Sequence, residues 1–158
     1  MEDIEVSFVV KSKADSRLMR AIGWLLGIFG NKRFMTNFWT TLGTSTIWAP
    51  TSVTIGPDTL RDHSVAIRHE LVHIQQARRW PVIWQLAYLL LPLPFGLAWF
   101  RWRWEREAYL VNLKAGVMSI EDVVNTLWNN YGWCWPKRWM RSWLSAEMKR
   151  AAADWRRG

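Results

Sequence analysis

A chain of 158 residues, half of them apolar, has enough material for one domain with a real core and is too apolar for a disordered segment. One cysteine, Cys134, excludes an internal disulfide framework and any zinc site built on two or more thiolates. Twenty-one Lys and Arg against 13 Asp and Glu give a net charge of +8, which favours anionic partners without choosing among nucleic acid, anionic lipid and cell-wall polymer.

The excess charge is uneven. From Lys137 onward there are seven basic residues and two acids. Fourteen tryptophans suit a core, but also a membrane interface, where one edge of the ring is apolar and the other wet. Met1-Glu2-Asp3-Ile4-Glu5 is acidic where a signal peptide is basic. The expected setting is therefore reducing, cytoplasmic or virion-associated.

Ile4, Val6, Phe8 and Val10 alternate with polar residues, which predicts a strand with one buried face. Leu18, Ile22, Leu25, Leu26 and Phe29 follow with helical spacing, and Arg17, Arg20, Lys32 and Arg33 flank them. The plainer reading is a core helix with basic ends; the other is a helix lying on an anionic membrane. Residues 34–55 are rich in Thr, Val, Ile and aromatics, with Gly43 and Pro50 as punctuation, and predict short strands with tight turns. Residues 64–80 predict a helix with Ile67, Leu71 and Ile74 on its buried face, ended or kinked by Pro81. Residues 81–100 carry no charge, but Pro92 and Pro94 sit inside the run, so a helical hairpin reversing at Leu91–Phe95 fits better than a straight span. Further helices are expected over about 97–114, from Ser119 through Trp128 with Asp122 in a capping pair, and from Pro136 on, with Trp139, Met140, Trp143, Leu144 and Met148 on one side. No linker or repeat interrupts the chain, so one domain, 1–158, is expected.

The chemistry concentrates in His69-Glu70-Leu71-Val72-His73. Two histidines four apart leave the same side of a helix and can bind one metal. Glu70, on an adjoining side, would reach a metal-bound water instead, take its proton and pass it to a leaving amine. A catalytic zinc site needs a third protein ligand. A histidine six residues after His73 is missing, since position 79 is Arg, and His63 lies only six residues before His69. Cys134, between two tryptophans, reads more simply as a buried thiol. Within Trp104-Glu105-Arg106-Glu107-Ala108-Tyr109, Glu105 and Tyr109 share a helix face, while Glu107 is turned about 200° from Glu105. A carboxylate from this helix is the better candidate for the third ligand, and Glu107 reads as meeting solvent or an arginine. The competing reading makes both acids surface partners of Arg101, Arg103 and Arg106.

The HELVH segment and the downstream E-R-E-A-Y segment together resemble the gluzincin type of zinc metallopeptidase. The Thr40-Thr41-Leu42, Thr46-Ile47-Trp48 and Pro50 stretch is similar to small zincin-like proteins of phages and bacteria. The resemblance covers about residues 36–112 and leaves the basic, Trp-rich part, 117–158, outside it. It implies His69, His73 and Glu105 as ligands of Zn2+ and Glu70 as general base, acting on a peptide or protein substrate. Where the family pattern has Asp four residues after the Glu ligand, this chain has Tyr109. That tyrosine is a catalytic candidate, either hydrogen-bonded to a ligand or donating to a developing oxyanion. Tyr88, Tyr131, His63 and Arg68 are further oxyanion candidates. The resemblance also implies a strand beside the active helix that pairs with extended substrate, for which Thr46–Ala49 is the candidate; the alternative is an ordinary internal strand.

The metal excludes a straight span. If residues 81–100 crossed a bilayer, His73 and Glu105 would lie on opposite faces of a core about 30 Å thick, far beyond a shared ion. The expected fold is α+β: a minimal zincin-like domain with a small twisted sheet, an active-site helix, a helical hairpin and C-terminal helices. The expected function is zinc-dependent peptide hydrolysis. The alternative is a catalytically silent binding or structural protein whose basic, Trp-rich surface meets membrane, nucleic acid or a protein. A membrane-surface contact stays open. Nucleic acid is not expected, because no binding motif accompanies the charge.

Overall fold

In the computed structural model, which describes residues 7–28, 32–81, 83–84, 98–130 and 136–157, the chain is α+β, with seven α-helices and one three-stranded sheet among the described residues. It divides into two compact units, residues 1–79 and 80–158. Ile4, Val6, Tyr88, the Leu91–Phe95 reversal, Tyr131 and Cys134 lie outside the described residues.

In the first unit, strand β1 (Val9–Ser12) pairs in parallel with β3 (Thr46–Ala49), and β2 (Thr40–Leu42) pairs antiparallel with β3. The order is β1-β3-β2. Thr46–Ala49 is thus the internal strand, with both ladder edges occupied, and it cannot pair with substrate. Strand β2, which lies against helix α4, is an edge of this sheet among the described residues. The register sets Val10 and Thr41 on either side of Ile47. Side chains in such a row share one face of a sheet, since direction alternates along each strand. That row meets α4 (Ser64–Arg79): Ile47, Ile67 and Ile74 form the buried cluster, with Phe8, Val10, Trp39 and Leu71 packed against it. Arg78, near the end of α4, donates to the Thr44 carbonyl (2.8 Å) and the Ser7 carbonyl (2.9 Å), tying the helix to the β2–β3 turn.

Two sequence expectations fail in this unit. Residues 34–37 are not a strand but a single helical turn, α2 (Phe34–Asn37). Helix α1 (Arg17–Ile28) has helical spacing as expected, yet it is not an ordinary core helix: Met19 is its one buried side chain, while Leu18 and Leu25 are exposed. Its packed side sits on α2, and Gly23 marks the closest approach. A Cβ there would come within 2.7 Å of Met35 Cγ, so only glycine fits without displacing the methionine. A short α3 (Thr59–Asp62) precedes α4.

In the second unit, α5 (Ala98–Lys114), α6 (Ile120–Asn130) and α7 (Lys137–Trp155) build one core from Trp102, Tyr109, Leu113, Val123, Val124, Leu127, Met140 and Leu144. Helix α5 closes as its spacing predicts. Gly116, at φ +70°, takes the left-handed position, and its neighbour Val117 N–H returns to the Asn112 carbonyl. Ser119 and Asp122 exchange the expected capping bonds: the Asp122 N–H donates to Ser119 Oγ (3.1 Å) and the Ser119 N–H to Asp122 Oδ2 (2.8 Å). The Ser119 hydroxyl, donating to Asp122 Oδ2 at 2.6 Å, and then the Ser119 N–H hold the Asp122 carboxyl below its ordinary range. Glu121 and Arg141 join α6 to α7 as an ion pair. Of the side predicted for α7, Met140 and Leu144 are buried and Trp143 and Met148 pack against the core, whereas Trp139 is exposed. Trp143 meets Trp102 edge-on at 5.7 Å, and the Arg106 guanidinium lies 4.3 Å over the Trp143 ring. Among the described residues no helix is long and apolar enough to cross a membrane.

Candidate metal centre

Helix α4 carries two kinds of side chain on adjoining sides. Ile67, Ile74 and Ala77 are buried on one, and Glu70, His73 and Gln76 are buried beside them. At about 100° per residue, Gln76, His69 and His73 fall within an arc of roughly 60°, and Glu70 lies about 60° further round, toward the isoleucines. The histidine rings are one turn apart, 5.2 Å between centroids and inclined by 75°. His73 Nδ1 lies 3.0 Å from Gln76 Oε1. An amide oxygen only accepts, so in this contact the proton is on Nδ1. That tautomer is the one a metal needs from a histidine bound through Nε2.

Glu70 is fixed from the sheet. Thr41 Oγ1 lies 2.8 Å from Glu70 Oε2 and 3.0 Å from the Glu70 backbone oxygen. The threonine hydroxyl reaches it because Thr41 shares the face of the sheet that Ile47 turns to α4. One carboxylate oxygen is anchored by this contact.

On α5 the buried residues are Trp102, Glu105, Ala108, Tyr109 and Leu113. Their spacing of three and four makes one stripe, and Glu105 is the carboxylate within it. Glu105 is fully buried, and a buried carboxylate is stable only when it is partnered. Glu107, two residues on, is exposed, as the 200° rotation predicts. Tyr109, one turn past Glu105, packs in the apolar core of its unit.

One ligand atom each from His69, His73 and Glu105 lie within 4.8 Å of one another. Donors about 2.0–2.2 Å from one tetrahedral ion stand roughly 3.4 Å apart. Two imidazoles and a carboxylate are also the right donors for zinc. His63, the other histidine considered, meets the Trp39 ring at a tilt of 50° with centroids 5.3 Å apart and is not one of this group.

Three residues with a bearing on the site escape sequence reasoning. Gln76 carries a readable signal, its i+3 position from His73. Thr41 depends on strand register. Lys13 looks like a surface lysine but is fully buried. Its ammonium donates to the Phe34 carbonyl (2.8 Å) and the Phe38 carbonyl (2.7 Å), bracketing α2 just ahead of β2, and lies 3.8 Å from the Phe34 ring centroid. Burial pushes this ammonium down from 10.5 to about 7, against the opposing pull of the Glu70 charge.

That depression has a sign. Below pH 7 the lysine is charged in both the folded and unfolded chain. Between 7 and 10.5 the unfolded chain keeps a proton that the folded chain has released, so this group makes stability rise with pH across that window. Urea unfolding of the wild type and of Lys13→Met between pH 7 and 10 should show the wild type gaining on the variant, with a slope approaching ~1.4 kcal/mol per pH unit. Parallel curves would contradict the buried placement.

Comparison with family models, with curated proteins and with solved structures found no match to this chain.

Proposed function

We propose that the protein is a zinc-dependent peptidase in which His69, His73 and Glu105 hold the ion and Glu70 is the general base. The convergence of those three donors within 4.8 Å carries the reading. Zinc bound there would supply Lewis acidity, polarising a carbonyl and lowering the pKa of water toward neutrality.

The chain's own residues do the rest. Gln76 holds the His73 ring by its Nδ1–H, an arrangement that would present Nε2 to the ion. Thr41 anchors one oxygen of Glu70, leaving the other to accept a proton from the attacking water. In the balanced step the water oxygen bonds to the carbonyl carbon, the C–N bond breaks, and Glu70 returns its proton to the departing amine. Strand β2 supports substrate binding: among the described residues it is an edge of the sheet, beside α4, and its backbone groups suit an extended peptide. Tyr109 retains the two roles read from the sequence, a hydrogen bond to a ligand or to the oxyanion.

The test is hydrolysis of an unfolded protein by the zinc-loaded chain. Cleavage that stops with a chelator and returns with zinc is expected. A chain that takes up zinc but shows no turnover would favour the silent binding protein. Gln76→Ala should leave the fold intact and weaken zinc by about 10- to 100-fold, measured in competition with a chromogenic chelator. Unaltered affinity would remove Gln76 from the account.

A further inference from the structure

Helix α1 shows solvent the side chains that an amphipathic helix ordinarily buries. Leu18 is 55% exposed, Trp24 71%, Leu25 49% and Ile28 61%. With Ala21, Arg17 and Arg20, also exposed, they fill an arc of about 160° at 100° per residue. Met19 is buried on the opposite side, where Gly23 seats the helix against Met35. The helix is thus anchored by one side and leaves a broad apolar side outward, a feature that marks an interaction surface.

The charge around this face selects the partner. Residues 16–33 contain Arg17, Arg20, Lys32 and Arg33 and no acid; the nearest one, Asp15, lies just ahead. Both Lys32 and Arg33 are exposed. In sequence, basic residues therefore flank the apolar stripe on both sides. A second copy of the chain would set these like charges against each other. Nucleic acid would satisfy the bases but has no use for four large apolar side chains, because its protein interfaces are polar. An anionic bilayer offers phosphates to the ends of the stripe and an acyl boundary to its middle.

We propose that α1 lies in the plane of an anionic lipid surface, with Leu18, Trp24, Leu25 and Ile28 entering the boundary between headgroups and acyl chains. Arg17 and Arg20 reach headgroup phosphates from one end, and Lys32 and Arg33 from the other. The aliphatic stem of Arg17, inside the apolar arc, lets its guanidinium rise to that level. None of these residues belongs to the metal centre, so the proposal stands apart from the peptidase reading.

Flotation of the full chain with vesicles tests it. Phosphatidylglycerol–phosphatidylcholine vesicles should carry the protein, with binding that weakens as salt rises, and phosphatidylcholine alone should not. The double variant Trp24→Ser/Ile28→Ser changes only exposed positions, so unaltered circular dichroism and thermal midpoint are expected alongside a loss of vesicle affinity of about tenfold or more. Replacing Arg17 and Arg20 by Gln should reduce binding to anionic vesicles by roughly tenfold or more. Failure of the wild type to float with anionic vesicles overturns the proposal. So does a folded double variant that floats as well as the wild type, which would place any lipid contact elsewhere in the chain.

Discussion

Glu70→Gln is expected to lower kcat by roughly a thousandfold while zinc content stays at the wild-type level, a loss inside the range for removing a general base. The substitution is close to isosteric, and the amide oxygen can still accept the Thr41 hydroxyl, now 2.8 Å from Glu70 Oε2. What disappears is a basic oxygen for the proton of the attacking water. Zinc counted by mass spectrometry beside single-turnover hydrolysis separates the possibilities. Full activity refutes the base. Loss of zinc with loss of activity would make Glu70 a ligand or a support of the metal centre.

Glu105→Ala is expected to abolish tight zinc binding. It removes the charged donor from a set of three and leaves two imidazoles. In the wild type, free zinc at a thousand times its dissociation constant should add about 4 kcal/mol to the unfolding free energy, the figure for an ion that binds only the folded chain. The variant should show little of that gain at the same zinc concentration. A zinc-dependent stabilisation equal to the wild type's would move the third ligand to another residue. His73→Ala would be a poorer probe, since His73 is also buried and bonded to Gln76.

Local spacing reveals the local half of the candidate centre. Histidines four apart on α4 and a carboxylate on the Trp102–Tyr109 stripe of α5 follow from helical periodicity alone, and the same arithmetic turns Glu107 to solvent. What spacing cannot supply is strand order. Thr46–Ala49 has the composition of a strand whether it is an edge or a centre, and its place between β1 and β2 comes from pairings more than 30 residues apart in sequence on one side. Thr41 is hidden for the same reason, since its bond to Glu70 needs the register that sets it beside Ile47.

Two other differences have different causes. Phe34–Asn37 has strand-like composition, yet it is a helical turn whose Phe34 carbonyl, with that of Phe38, is held by Lys13. A distant tertiary contact can outweigh a weak local preference. Helix α1 has the right period but lacks a cover: periodicity finds an apolar side without saying what lies over it.

X-ray absorption at the zinc edge of the purified, zinc-loaded protein tests the central claim most directly. The account expects one zinc per chain in a shell of nitrogen and oxygen at about 2.0–2.1 Å, with the outer scattering of two imidazoles and no sulfur. A sulfur shell near 2.3 Å, or a chain that retains no zinc at all, would contradict it.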